Sequence, residues 1–262
     1  MSVPIADKAT VARDFGVASS SYDEAARLQR HMGNRLLELL TEADAGKRVV
    51  DLGCGTGQFA SALAERLPGC SLTAVDLSEA MIRHARLIRG LAVQWVVADA
   101  ESLPFADGSA DVIFSNLMIQ WCADPRPVLR ECSRILRPGG YLVCSTLLDG
   151  TLAELAEAWQ MVDPGVAHVN RFEAYDVVEQ RLRDVFPDGR LECESICLPY
   201  ASPLALLGEL KSLGAQYKGA GRRQTLTAPG RVRRLGDAYP RQGGQVVATY
   251  KAGYLVCRKP LL

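Results

Sequence analysis

Histidine is scarce in this chain, with three among 262 residues, and its eight cysteines include no C-x-x-C pair. Those two shortages argue against a zinc site and against a paired-cysteine redox centre, so no metal is expected. No apolar run approaches the ~20 residues that a membrane span needs. The opening Met-Ser-Val-Pro-Ile-Ala-Asp-Lys has no apolar core of the signal-peptide kind. The expectation is a reduced, cytoplasmic enzyme with no membrane attachment. Neither sign of charge dominates: 30 Lys and Arg stand against 30 Asp and Glu. That balance carries no general affinity for nucleic acid. Two phosphate-binding signatures are also missing, the G-x-G-x-x-G dinucleotide fingerprint and the G-x-x-x-x-G-K-[ST] loop. What is plentiful is apolar residue, 48% of the chain, enough for the core of one large α/β domain or two small ones.

The chain is organised around residues 48–59, Arg-Val-Val-Asp-Leu-Gly-Cys-Gly-Thr-Gly-Gln-Phe. Val49 and Val50 open a buried strand. Gly53, Gly55 and Gly57 form a turn, and Phe59, Ala60, Leu63, Ala64 and Leu67 recur at helical spacing beyond it. Glycine takes positive φ cheaply and leaves no Cβ between a ligand and the backbone. A bare βα turn with no ligand satisfies the same pattern. Three further strand ends favour a ligand. The strand Leu72–Val75 ends in Asp76, followed by Ser78 as a helix N-cap. Val93–Ala98 ends in Asp99-Ala100, and Asp111–Ser115 runs into Asn116. An acid at the tip of the second strand can accept both hydroxyls of a ribose.

The D-x-G-x-G-x-G run with these strand ends resembles the class I S-adenosylmethionine (SAM) methyltransferases. The resemblance implies a Rossmann-like α/β fold: a mostly parallel seven-stranded sheet with helices on both faces and helical insertions. It implies SAM as methyl donor, held by Asp51, Gly53, Cys54, Gly55, Asp76, Leu77, Asp99, Ala100, Asn116 and Leu117. Phe15-Gly16, Ser21-Tyr22-Asp23 and Leu28-Gln29 resemble a segment that folds over the cofactor in ubiquinone- and biotin-pathway methyltransferases, which adds Tyr22 and Gln29. Trp121, after the fourth strand, stands where it can wall in the methyl donor.

Other segments resemble one family, the malonyl-[acyl-carrier protein] O-methyltransferases of biotin synthesis. They include Gln120-Trp121-Cys122, Ala158-Trp159-Gln160, Asn170-Arg171-Phe172 and Leu210-Lys211-Ser212-Leu213-Gly214-Ala215; Gln216-Tyr217-Lys218 departs from the pattern. The implied layout is a single domain, 1–262. It has a helical cap over 8–40, a core of 46–148 with 187–200 and 245–258, and substrate-side insertions 149–186 and 202–243. The implied reaction methylates the free carboxylate of malonyl-carrier protein. A carboxylate is ionised at neutral pH, so no general base is needed. Positioning falls to Tyr22 and Trp121. Selecting malonyl over acetyl calls for a cation, best an arginine fork. Arg171 is the first candidate, with Arg222 and Arg223 as alternatives.

Residues 211–241 hold eight cations and one acid, a net +7. A basic run is usually a solvated face; here an acidic carrier protein would dock on it, and nucleic acid is the rival ligand. A small-molecule methyltransferase would share the cofactor motifs without needing this segment. A monomer is expected.

Overall fold

A computed structural model describes residues 7–40, 48–90, 92–219 and 229–261. The chain starts with three helices, α1 (Lys8–Ala18), α2 (Tyr22–Ala25) and α3 (Arg27–Leu39). The sequence predicts an amphipathic stretch interrupted near Ser19–Ser21, and the interruption falls there. Asp7 caps α1 by accepting the Thr10 N–H at 2.9 Å. At the interruption the Ser21 hydroxyl donates to the Ser212 carbonyl at 2.9 Å.

Strands and helices then alternate: β1 (Arg48–Leu52), α4 (Ala60–Arg66), β2 (Ser71–Asp76), α5 (Glu79–Arg89), β3 (Gln94–Val97) and β4 (Ala110–Ser115). A 3-10 turn at Ile119–Trp121 precedes α6 (Arg126–Ile135) and β5 (Leu136–Leu147). The remainder is α7 (Ala153–Val162), α8 (Tyr175–Arg183), β6 (Arg190–Tyr200), α9 (Pro203–Ser212), α10 (Pro229–Ala238), β7 (Arg241–Gln242) and β8 (Gln245–Arg258).

The strands form one sheet in the order β3-β2-β1-β4-β5-β8-β6, with the two-residue β7 pairing with β8 as a short arm. β1 to β5 run parallel, and β8 lies antiparallel between β5 and β6. This is the Rossmann-like class I methyltransferase fold. Successive strand residues point to opposite faces. Val49, Val112 and Phe114 therefore pack with Met32, Leu36 and Leu63 on one face. Val50, Ile113 and Leu142 pack with Leu129, Ile135 and Leu182 on the other. Both faces are covered, which is why the central strands read as continuous apolar runs.

One local expectation is corrected. The Arg137-Pro138-Gly139-Gly140 element is predicted as a turn before the fifth strand, yet β5 already starts at Leu136. The chain passes through these residues as an irregularity, the pairing with β4 shifting between Ala110 and Val112. Gly139 takes φ +74° there, and its N–H donates to the Lys259 carbonyl at 2.9 Å. The backbone is thus satisfied without turning back.

Candidate functional site

The three glycines after β1 all adopt left-handed backbone, at φ +74°, +54° and +68°. A Cβ on Gly53 would meet Met118 Cγ at 2.5 Å, and one on Gly57 would meet the Trp95 ring at 2.4 Å. A Cβ on Gly55 would meet nothing within 4 Å. The outer glycines let the turn pack, while Gly55 leaves open the space that a ligand would enter. The turn is pinned to the end of β2. Gly53 N–H and Cys54 N–H donate to the Val75 carbonyl at 2.8 and 3.0 Å. Gly55 N–H donates to Asp76 Oδ2 at 2.9 Å, and Ser78 N–H to Asp76 Oδ1 at 2.7 Å. Each carboxylate oxygen keeps a lone pair for a further donor. Burial raises the pKa of Asp76 above the ordinary value, and the Ser78 and Gly55 N–H groups oppose that shift.

At the end of β4 the backbone is strained. Leu117 sits at φ +55°, a conformation that costs a branched side chain free energy and persists only when its surroundings impose it. The Ser145 hydroxyl imposes it, accepting from Leu117 N–H at 2.9 Å and donating to Asn116 Oδ1 at 2.7 Å. Asn116 Nδ2 in turn donates to the Gln29 carbonyl at 2.9 Å, tying α3 to the strand end.

Two cavities open above these strand ends. One, of about 850 Å³, is walled by Gly53, Gly55, Asp76, Leu77, Asp99, Ala100, Asn116, Leu117, Tyr22 and Trp121, with Lys8, Val11, Ala12 and Phe15 from α1. The second, a chamber of about 700 Å³, is mostly apolar. Phe15, Tyr22, Leu117 and Trp121 belong to both walls. The Phe15 and Trp121 rings meet edge to face at 5.1 Å. A donor in one cavity and an acceptor in the other would therefore meet across a ring of apolar side chains.

The sequence-predicted cofactor residues converge on the first cavity with three exceptions. Asp51 is buried behind the wall, on the face of β1 that it shares with Val49. Its carboxyl is pushed up to about 7, first by burial and then by the neighbouring Asp76 charge. The Cys54 side chain packs with Ala74 and Ile82, and burial pushes its thiol well up. Only its backbone belongs to the turn. Gln29 lines the chamber instead of the first cavity.

Residues the sequence reading missed come mainly from α1. Lys8, Val11 and Ala12 form, with the already noted Phe15, an i, i+3, i+4, i+7 stripe facing the cavity, a signal that was available as helical periodicity. Lys8 Nζ lies 2.6 Å from Asp99 and 2.8 Å from Glu101. Burial raises the Asp99 pKa, but the Lys8 ammonium and the Glu101 N–H outweigh it and hold the carboxyl below the ordinary value. A second anchor follows Tyr22: Asp23 accepts from the Thr56 hydroxyl and from Arg89, each at 2.5 Å.

The candidate cations of the substrate side divide. Arg171 is exposed and borders a smaller cleft with Pro125 and Thr146. It is absent from the chamber wall, although Asn170 and Phe172 on either side are in it. Arg222 and Arg223 lie outside the described residues. Within the basic segment, Lys211, Arg233, Arg234 and Arg241 are exposed. Lys218 and Arg231 are not part of a solvated face. The Lys218 ammonium is buried 2.6 Å from Asp14 and lies over the Phe15 ring. Arg231 is largely covered and reaches Asp163 at 4.0 Å. Among the described residues no helix is long and apolar enough to cross a membrane.

Comparison with known proteins agrees with this geometry. Residues 50–144 match the methyltransferase domain family. The YcgJ protein of Bacillus subtilis superposes with a TM-score of 0.62 at 19% identity, covering 88% of this chain and 99% of that one, which supports the fold. The malonyl-[acyl-carrier protein] O-methyltransferase of Hahella chejuensis is 42% identical, over 95% of this chain and 90% of that protein. The biotin biosynthesis bifunctional protein BioHC of Cellvibrio japonicus is also 42% identical, over 97% of this chain; the chain spans 51% of its length. With near full-length identity of this order added to the strand-end acids and the paired cavities, the chain belongs to the malonyl-[acyl-carrier protein] O-methyltransferase family.

Proposed function

We propose that this protein transfers a methyl group from SAM to the free carboxylate of a malonyl thioester carried by an acyl-carrier protein, the step that masks the malonyl charge for biotin synthesis. The observation that carries the reading is the pair of cavities sharing the Phe15, Tyr22, Leu117 and Trp121 wall. The first cavity fits SAM on chemical grounds. Asp76 offers its two remaining lone pairs to the ribose hydroxyls, Gly55 admits close approach, and Leu77 and Ala100 offer apolar contact to the adenine. When bound, SAM supplies a methyl group on a sulfonium: a carboxylate oxygen forms the new C–O bond as the S–C bond breaks, leaving a neutral ester and a thioether.

No proton needs to move, because the carboxylate is already ionised at neutral pH. The contribution of the chain is alignment and dryness. Tyr22 and Trp121 hold the two reacting groups in line at ~3–3.5 Å and keep water from the junction. Tyr22 is itself no base: burial, reinforced by the Asp76 and Asp23 charges, holds its phenol well above the ordinary range. Outside the chamber, Lys211, Arg233, Arg234 and Arg241 supply the exposed positive charge for an acidic carrier protein.

Labelled SAM incubated with malonyl-carrier protein, malonyl-coenzyme A and bulk RNA tests the reading. Base-labile label on the malonyl thioesters and none on RNA is expected. Label on RNA alone, or no label on either thioester, would overturn it in favour of an RNA or small-molecule methyltransferase.

A further inference from the structure

An ionised carboxylate entering an apolar chamber is strongly disfavoured unless a donor or a cation meets it there. Among the described residues, the chamber wall contains two ionisable side chains other than tyrosines, Glu209 and His168. Glu209 is already engaged, accepting from Arg27 at 2.9 Å and from the Tyr200 hydroxyl at 2.7 Å, and its charge repels another carboxylate. His168 carries no negative charge. Its Nε2 lies 2.9 Å from Asp163 at the end of α7, and its ring stacks on the Trp159 indole at 4.1 Å and 17°. The stack and the carboxylate fix the ring plane and leave Nδ1 for an occupant of the chamber. The wall also looks built for a polar guest. Gln29 Oε1 and Gln120 Oε1 are buried without partners among the described residues, and as acceptors they call for donors such as the amide N–H groups of a pantetheine arm.

We propose that His168, oriented by Asp163, is the residue that recognises the malonyl carboxylate and so distinguishes substrate from product. This rests on the reaction proposed above. Once the ester forms, the charge that held the acyl tip is gone, and the product is released more readily than the substrate.

Calorimetry with malonyl-pantetheine and its methyl ester, on protein saturated with S-adenosylhomocysteine, tests the assignment without turnover. Wild-type protein should bind the carboxylate form about ten-fold or more tighter than the ester, the scale of a hydrogen bond to a charged group. In His168→Gln that ratio should collapse to within roughly two-fold, with S-adenosylhomocysteine affinity unchanged as the check on folding. Asp163→Asn should lower the ratio in part. A merely structural role for His168 would weaken both ligands alike and leave the ratio intact, which would overturn the proposal and return the role to Arg171 or to Arg222 and Arg223. A wild-type protein that methylates malonyl thioesters yet binds acid and ester equally would overturn it as well. Failure to methylate any malonyl thioester would instead overturn the reaction itself, and this inference with it.

Discussion

Asp51 shows how one buried carboxyl shapes the stability of the ligand-free protein. Its pKa rises from the ordinary 3.8 to about 7, through burial first and the Asp76 charge second. An acid raised in the folded state binds its proton more tightly there than in the unfolded chain. Its stabilising contribution is therefore complete below 3.8 and is lost as pH climbs through about 7. Asp51→Asn should remove this part of the pH dependence. Relative to the wild type, its melting temperature should gain several degrees between pH 4 and 7, since ~1 kcal/mol moves the midpoint of a chain this size by ~2–4 °C. Parallel pH profiles for the two proteins would show that Asp51 has an ordinary acidity. The Asp51 position in the motif was legible from spacing. That the side chain lies behind the cavity and not in its wall was not, because that depends on which face of β1 each helix covers.

At the scale of elements, α1, α2 and α3 act as a cover over both cavities. Ion pairs join the cover to the rest of the chain at Lys8 with Asp99 and Glu101, at Asp23 with Arg89, and at Arg27 with Glu209 on α9. The Asp23 pair is the one beside Tyr22, and through Thr56 it also grips the glycine turn. Asp23→Ala should loosen this corner. Asp23 is 34% exposed, so solvent screening reduces what the pair is worth. A several-fold faster release of S-adenosylhomocysteine, read by stopped-flow fluorescence, is expected from losing hydrogen bonds to a charged group of ~1 kcal/mol or more after that discount. An unchanged release rate would mean that the cover does not open there. The helical character of the cover and its interruption near Ser19 were readable from periodicity. The ion pairs were not, since their partners lie tens of residues away.

At the scale of the whole molecule, a chain with no net charge still carries an uneven surface. Exposed Arg233 and Arg234 on α10 and Lys211 on α9 would act mainly on the rate and orientation of encounter with an acidic partner. Raising salt from ~50 to ~300 mM shortens the screening length from above ~10 Å to well below it. The specificity constant for malonyl-carrier protein should then fall several-fold, while a malonyl-pantetheine substrate should hardly respond. The double variant Arg233→Glu, Arg234→Glu should reproduce the loss at low salt. Arg231 is left out because it is turned inward toward Asp163. Equal salt responses for the two substrates would mean that these cations are only a solvated face.

The sequence by itself determined the sheet, the glycine turn and the acids at the strand ends. Those features rest on short-range physics: the alternation of strand side chains, the φ that glycine permits, and helical spacing. Only the tertiary structure decided which side chains line the two cavities. Asn170 holds its loop against the chain after α9, donating to the Ala215 and Gln216 carbonyls at 3.4 and 3.2 Å and accepting from Lys218 N–H at 2.8 Å. That clamp sets His168 and Phe172 into the chamber wall and leaves Arg171 outside it. Contacts between residues nearly fifty apart decide the direction of each side chain, and no local spacing encodes them.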